Sequence, residues 1–269
     1  MFTASYLKKA SETNSSQRRI LIQGPPGSGK TYSVVMSAPN PLIAAWDNGL
    51  TNPDIQKLNP PVLPFYDEAW CKEQSFSPGG KKGVNRAVLF EDFLRHEGPK
   101  IPEGVALIVD TLSFWSDVAE EYLWSITPIS KKTNEKDGYD YWASYADYFN
   151  RCLTLMTTFK CDVVITAHEV EIYGKESGRL EKIAPLLKTK ELVSRLAGYF
   201  TDYVRMHAVQ KAQAPGAPSK DLKAETEWLW QIKPAGLVSC KSRSGSDRIY
   251  VPARWDSLNY GSETMKEAA

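Results

Sequence analysis

The segment at residues 24–31, GPPGSGKT, constrains the fold of this chain more than any other. It matches the pattern G-x-x-x-x-G-K-[ST] at every fixed position, a pattern that joins a buried strand to a helix. Gly24, Gly27 and Gly29 allow the backbone to turn tightly and to approach a ligand closely. Free amide groups and the positive end of the helix then form a cradle for an anion. The segment therefore predicts a phosphate-binding α/β unit.

The other residues of this loop predict how a nucleotide is held. Lys30 is placed to reach the β- and γ-phosphates, and the Thr31 hydroxyl is a ligand for Mg²⁺. The flanks argue against a glycine-rich turn without a ligand, because residues 19–23 predict a strand and residues 31–38 a helix. We therefore expect ATP and Mg²⁺ as cofactors. The predicted nucleotide-binding residues are Gly24, Pro25, Pro26, Gly27, Ser28, Gly29, Lys30, Thr31 and Tyr32.

The composition narrows the class of protein. The 269 residues suffice for one large α/β domain or two small ones. The 33 Lys and Arg residues balance 32 Asp and Glu residues, so any contact with nucleic acid must come from a local patch. No apolar run reaches membrane-spanning length, and residues 1–17 lack the apolar core of a signal peptide. Four scattered cysteines without a C-x-x-C pair favour a reducing compartment. We expect a soluble, intracellular protein.

Strand and helix patterns alternate from residue 19 to residue 168, which predicts right-handed βαβ units and a mainly parallel sheet flanked by helices. Residues 51–85 are rich in proline, glycine and polar groups and predict long loops around a short strand at 62–65. Residues 170–183 predict a hairpin or a mobile loop. Further strands are predicted at 42–46, 105–110, 162–167 and 202–208, and helices at 84–95, 113–124 and 191–199. Apolar residues at steps of three and four predict another helix facing the core, with Trp142, Tyr145, Phe149, Cys152, Met156 and Phe159.

The C-terminal part predicts an antiparallel β meander, with strands at 227–232, 237–240 and 248–251. The Ala-, Pro- and Lys-rich segment before it predicts a flexible loop at 209–225. We expect one core domain over residues 19–260. Residues 1–18 and 261–269 are predicted as N-terminal and C-terminal tails.

Functional side chains are expected at the carboxyl ends of the parallel strands, where ligands of such sheets bind. Asp110 closes an apolar strand and is the predicted second Mg²⁺ residue; the alternative is a turn residue or a helix N-cap. Hydrolysis also needs a carboxylate that orients water, and the candidates are Asp47, Glu68 and Glu169. Asp47 is the first choice, with a simple turn as its alternative. His168 is expected to contact the γ-phosphate, unless it is a buried structural histidine.

These residues together resemble the RecA-like ATPases, and more closely the phage-encoded recombinase-type ATPases of single-strand annealing, the Sak group. The likeness covers residues 19–255, nearly the whole chain. The segments that carry it are GPPGSGKT at 24–31, the strand ending at Asp110-Thr111, VITAHE at 164–169, LAGYFTDYV at 196–204 and CKSR at 240–243.

This resemblance implies a RecA-like core that forms rings or filaments, with ATP between subunits and single-stranded DNA on inner loops. It places Lys241 and Arg243 as the basic pair that reaches the ATP of the neighbouring subunit. It also implies a phage protein in the bacterial cytoplasm, with a single-strand-binding protein as a further partner. The implied DNA-binding residues are Lys131, Lys132, Lys136, Lys175, Arg179 and Lys182, and Tyr173 is added as a base-stacking residue. The alternatives are a solvated charged surface for the basic residues and local packing in the hairpin for Tyr173.

Two departures from the family pattern leave other functions open. RecA-like proteins carry glutamate where this chain has Asp47, and the chain lacks the accessory domain of strand-exchange recombinases. The resemblance therefore favours annealing over strand invasion. The alternatives are a P-loop ATPase of another class, such as an AAA-type remodeller or helicase loader, and a small-molecule kinase. The kinase is disfavoured because residues 111–160 lack a lid with clustered arginines, and the remodeller because the C-terminus lacks a helical lid.

Overall fold

A computed structural model describes residues 17–130, 133–210, 226–244 and 246–258. Nine strands in these ranges form the sheet, in the order β3-β2-β4-β5-β1-β7-β8-β9, with β6 paired to β5. The strands are β1 (Arg19–Gly24), β2 (Pro41–Ala45), β3 (Val62–Pro64), β4 (Ala106–Asp110), β5 (Asp162–Tyr173), β6 (Leu180–Pro185), β7 (Asp202–Gln210), β8 (Thr226–Gln231) and β9 (Tyr250–Pro252).

Seven α-helices lie in the described residues: α1 (Lys30–Ser37), α2 (Pro53–Leu58), α3 (Glu68–Glu73), α4 (Arg86–His96), α5 (Leu112–Ile126), α6 (Gly138–Thr157) and α7 (Lys190–Leu196). Short 3-10 turns follow at Gly98–Lys100, Ala197–Tyr199 and Trp255–Leu258. None of these helices is long and apolar enough to cross a lipid bilayer.

The six strands from β3 to β7 in the sheet order are parallel, which confirms the predicted α/β fold. The central strands β1 and β4 are buried along their whole length, which is why their sequences are nearly continuous apolar runs. The helices α4, α5 and α6 cover one face with an aromatic core that includes Phe90, Trp115 and Phe149. On the other face, α1 packs Val34 and Val35 near Trp230 of β8. Parallel pairing brings the carboxyl ends of β1, β2, β4 and β5 to one edge.

The C-terminal strands are antiparallel, as predicted, but the meander differs in one member. β8 pairs with β7, and β9 pairs with β8. Residues 237–240 form no strand of the sheet: Val238 makes isolated bridges to Ile183 and Ala235. The reason is packing, because Val238 and Cys240 join Ile183 in a separate small cluster. β9 then takes the place beside β8.

Two further predictions need correction, and one ambiguity is resolved. Residues 51–85 contain α2 and α3 as well as loops; each helix has six residues, too few to show a period, and begins at a side-chain cap, Asn52 or Asp67. Trp142 is 42% exposed, although the rest of its predicted stripe is buried. β5 and β6 form the hairpin expected at 170–183. The predicted flexible loop is described only at 209–210, where the chain is still part of β7. Most of the predicted N-terminal tail and all of the C-terminal tail lie outside the described residues.

Candidate nucleotide site

The phosphate loop runs from the end of β1 to the start of α1. Gly27 and Gly29 have φ of 72° and 88°, a left-handed conformation that strains any residue with a Cβ atom. Gly29 is also the N-cap of α1, and it provides no side chain to bond the amides of the first turn. Those amides are therefore available to an anionic ligand at the positive end of the helix.

Lys30 is 5% exposed and lies within the loop that it follows. Its Nζ donates hydrogen bonds to the carbonyl oxygens of Gly24, at 3.0 Å, and Pro25, at 2.8 Å. Burial lowers the pKa of this ammonium, and the charges of Asp110, Glu169 and Asp47 oppose that shift. In the described part of the chain no carboxylate is ion-paired with it, so its charge is balanced only at longer range. A buried ammonium held by neutral carbonyls suits an incoming phosphate.

Asp110 is the most buried carboxylate of the site, with 2% of its surface exposed. It accepts hydrogen bonds from the hydroxyls of Thr31, at 2.8 Å, and Thr166. Burial raises the pKa of Asp110, and the two hydroxyl contacts oppose that rise. Thr111, not Asp110, is the N-cap of α5, so the alternative interpretation of Asp110 as a cap is wrong. The predicted pair of Mg²⁺ residues is thus in direct contact.

Thr166 was missed by sequence reasoning, although a signal exists. Residues 164, 166 and 168 of β5 share one face of the sheet, because side chains alternate along a strand. A polar residue at 166, between a buried valine and the predicted His168, marks the position that faces Asp110.

The three candidate carboxylates differ in their surroundings. Asp47 follows β2, is partly exposed, and accepts a hydrogen bond from the Gly49 amide at 2.8 Å, which is the predicted turn. Its charge nevertheless acts on Lys30 and Asp110. Glu68 lies in the first turn of α3, with its side chain 67% exposed beside Arg86. Asp47 is thus both the predicted turn residue and the one of these two carboxylates whose charge acts on the nucleotide site.

Glu169 is committed to an ion pair that the sequence did not reveal. Arg205 donates to it through Nε, at 2.8 Å, and Nη2, at 2.7 Å. The two side chains are 10% and 19% exposed. They belong to β5 and β7, so the pair spans the end of β1 between them. Because both carboxylate oxygens are engaged, Glu169 is less suited than Asp47 to orient water.

His168 lies at the end of the parallel part of β5, in register with Gly24. Its ring packs edge-on against Phe114, its amide donates to Ser113 Oγ at 3.1 Å, and its Nδ1 is buried without a hydrogen-bond partner among the described residues. Burial and the charge of Lys30 lower its pKa, which keeps the imidazole neutral near pH 7. A neutral imidazole beside the phosphate cradle is suited to donate a hydrogen bond.

Lys241 and Arg243 lie away from the phosphate loop of their own chain. Lys241 exchanges backbone hydrogen bonds with Tyr203, which pairs with Leu21 in the middle of β1. Nearby, the buried Asp202 accepts bonds from Ser242 Oγ, at 2.6 Å, and the Arg243 amide, at 3.2 Å. The backbone of Lys241 is therefore level with the middle of β1 and not with its end at Gly24, and within the described residues neither side chain is hydrogen-bonded to the phosphate loop.

Most predicted DNA contacts lie on the β5–β6 hairpin. Tyr173 is 54% exposed and donates its hydroxyl to Glu171. Lys175 and Arg179 are exposed at the turn, and Lys182 is half-buried on β6. Lys136 lies apart: its ammonium is over the Trp124 ring and donates to the Trp124 carbonyl. Lys131 and Lys132 lie outside the described residues.

Trp228 is a second residue that sequence reasoning missed at this site. It belongs to β8, and its indole lies so close to Gly29 that a Cβ there would be 2.7 Å from Nε1. Its ring also packs against Tyr32, with centroids 5.4 Å apart. No local pattern around residue 228 signals this contact.

The described residues form no cluster of three or more His, Cys, Asp or Glu side chains that would hold a metal by themselves. Mg²⁺ fits this site nonetheless, because it commonly takes one or two protein oxygens together with water and phosphate. Thr31 and Asp110 supply those oxygens. The uncapped α1, the buried Lys30 and the contact between Thr31 and Asp110 fit a magnesium-bound nucleoside triphosphate.

The chain resembles several solved proteins at low identity. It is similar to an ATPase from the type III secretion system of pathogenic bacteria, with 12% identity, a TM-score of 0.39, and coverage of 71% of this chain and 51% of that one. The assembled ATPase EscN of the enteropathogenic E. coli type III secretion system shares 14% identity at a TM-score of 0.41, and the match covers 71% of this chain and 43% of that one. The RadB recombinase shares 10% identity at a TM-score of 0.38, and the match covers 80% of this chain and 87% of that one. The chain thus spans about half the length of the two secretion ATPases.

No curated protein matches the sequence. The AAA_24 family, described as an AAA domain, matches residues 16–197. This range contains the phosphate loop, Asp110, His168 and the β5–β6 hairpin. Because the match covers more than half of the chain, the protein is a P-loop NTPase that belongs to the AAA_24 family.

Proposed function

We propose that this protein is a Mg²⁺-dependent ATPase that binds single-stranded DNA and acts in phage-type recombination by strand annealing. The observation that carries the ATPase part is the geometry around Lys30. Its buried ammonium donates to two loop carbonyls, beside an uncapped helix and the Thr31–Asp110 contact. These groups would hold the β- and γ-phosphates and one Mg²⁺. When bound, the metal neutralises charge on the phosphates.

Hydrolysis needs a base or water-orienting group on the open side of the loop. Asp47 is partly exposed and its charge acts on Lys30, and unlike Glu169 it forms no ion pair with the described residues. We assign it that role, with His168 as a neutral donor to the γ-phosphate. The positive charge that stabilises the transition state comes from a second subunit, through Lys241 and Arg243. This role requires a ring or filament in which neighbouring subunits share sites.

DNA binding is assigned to the β5–β6 hairpin. Its turn carries Lys175 and Arg179 in exposed positions, and Tyr173 offers an exposed ring for stacking on bases. The hairpin continues directly from the strand that carries His168 and Glu169. Nucleotide and DNA would therefore bind to adjoining parts of one element. A single-strand-binding protein is a natural partner, because it covers the same substrate.

The test is ATP turnover with and without single-stranded DNA, at low and at moderate salt. We expect DNA to stimulate turnover several-fold, and the stimulation to fade as salt rises. Reversing charge in the double variant Lys175→Glu, Arg179→Glu should remove stimulation but leave basal turnover. The matched control is Lys57→Glu, on the exposed face of α2. Turnover indifferent to DNA, with phosphate passed to a small molecule, would support the kinase alternative and reject this assignment.

A further inference from the structure

A cavity of about 610 Å³ opens beside the phosphate loop, between the first turns of α1 and the C-terminal strands. It is here named the Trp228 cavity. It lies next to Thr31 along the helix, because its α1 wall begins at Tyr32. The lining residues that matter are Tyr32, Ser33, Met36, Trp228, Arg254 and Trp255.

The indole of Trp228 joins this cavity to the phosphate loop. It lies against the backbone of Gly29 on one side, where only a residue without a Cβ fits, and against the Tyr32 ring on another. Trp228 is 37% exposed and Met36 41% exposed, so apolar surface faces the opening. Large aromatic side chains that stay exposed at a concave site are typical of ligand pockets.

Several polar groups of the cavity wall are already engaged, whereas the exposed carboxylate of Glu227 forms no hydrogen bond or ion pair with the described residues. Ser33 Oγ donates to the Lys30 carbonyl at 2.9 Å, and Ser37 Oγ donates to the Ser33 carbonyl at 2.6 Å. The Arg254 guanidinium pairs with Asp256 at 3.0 Å. The wall therefore offers flat rings and aliphatic surface more than free hydrogen-bonding groups.

We propose that the Trp228 cavity holds the base of the nucleotide whose phosphates occupy the loop, and holds it by stacking on Trp228 and Tyr32. The proposal rests on the nucleotide binding proposed above. Stacking surfaces accept any base, whereas strong discrimination requires dedicated hydrogen bonds. The cavity therefore accepts adenine and guanine nucleotides with affinities within about 10-fold of each other.

Calorimetry with three magnesium-bound ligands, ATP, GTP and inorganic triphosphate, tests the base site separately from the phosphate site. We expect the wild-type protein to bind ATP and GTP similarly, and both more tightly than inorganic triphosphate. Trp228→Ala should weaken ATP binding about 10- to 100-fold and leave inorganic triphosphate binding unchanged. Trp228→Phe, which keeps a flat ring, should retain most of the ATP affinity. Trp124→Ala, at a 46% exposed tryptophan on α5, is the matched control.

The outcomes separate the two proposals. If neither ATP nor inorganic triphosphate binds the wild-type protein, the proposed function fails. If both bind equally, or if Trp228→Ala weakens both alike, the phosphate site stands and the base site is rejected. A preference of more than about 100-fold between ATP and GTP overturns recognition by stacking. Should Trp228→Ala not fold, Tyr32→Leu replaces it, with the same selective loss of ATP affinity expected.

Discussion

Replacing Lys30 by methionine separates ligand binding from stability. The buried ammonium now bonds two carbonyls, at 3.0 and 2.8 Å, and we expect it to exchange them for phosphate oxygens. A hydrogen bond to a charged group contributes about 1.5–3 kcal/mol, so losing two costs about 3–6 kcal/mol, or about 10²- to 10⁴-fold in affinity. The fold should lose little, within about 1 kcal/mol, because the loss of the two carbonyl bonds is offset by removal of a charge that burial penalises.

Calorimetry with magnesium-bound ATP and urea unfolding without ligand measure the two effects in the same preparation. Lys100→Met is the control, since that side chain is 68% exposed and pairs with Glu97 far from the loop in sequence. It should change neither quantity. If Lys30→Met binds ATP as tightly as the wild type, the phosphate role is refuted. If it unfolds several kcal/mol more easily, Lys30 is a structural residue of the loop.

Four other predictions address the carboxylates and the distant lysine. Burial raises the pKa of Asp202, so the folded protein keeps the carboxyl proton to a higher pH than the unfolded chain does. The free energy of unfolding should therefore fall as pH rises from about 4 through the raised pKa. Asp202→Asn should flatten this pH dependence in urea titrations. Glu169→Gln should destabilise the fold by about 1–3 kcal/mol, because it removes the charged partner of the partly buried Arg205 and keeps only one acceptor oxygen, and adding Arg205→Met should restore most of the loss in the same titrations. Asp47→Asn should lower turnover while calorimetry shows unchanged ATP affinity; equal turnover would move the water-orienting role elsewhere. Lys241→Ala should lower turnover of the assembled protein but leave ATP binding by monomers intact, and unaltered turnover would exclude its action on a neighbouring site.

The sequence predicted the phosphate loop and its strand-end companions because each signal is local. A glycine pattern, a lysine and a threonine lie within eight residues, and Asp110 ends an unbroken apolar run. Parallel pairing then brings these residues together, because the carboxyl ends of parallel strands lie at the same end of the sheet whatever their distance along the chain. Topology therefore predicts that Thr31 and Asp110 lie near each other, and the structure adds the hydrogen bond between their side chains.

The residues that escaped prediction depend on contacts between distant segments. Arg205 is a charged residue within a mostly buried strand, and its partner Glu169 lies 36 positions earlier in the chain. No local pattern connects the two residues. The two short helices α2 and α3 depend on single caps and on tertiary packing, which a window of six residues does not record. Residues 237–240 are predicted as a strand, yet Val238 and Cys240 pack against Ile183 of β6 and form no ladder beside β8.

The position of Trp228 is explained by the change of strand direction after β7. The pairing between β1 and β7 ends at Arg205. Residues 206–210 of β7 therefore extend beyond the end of β1, where the phosphate loop begins. A further parallel strand would begin at the amino ends of the strands, at the end of the sheet opposite to the phosphate loop. The antiparallel β8 instead starts on this overhang, and its register sets Trp228 opposite Ala208, three residues beyond the last pair with β1. The antiparallel extension thus brings an aromatic side chain to Gly29 from beyond the end of β1, at a level where β1 itself has already turned into the phosphate loop.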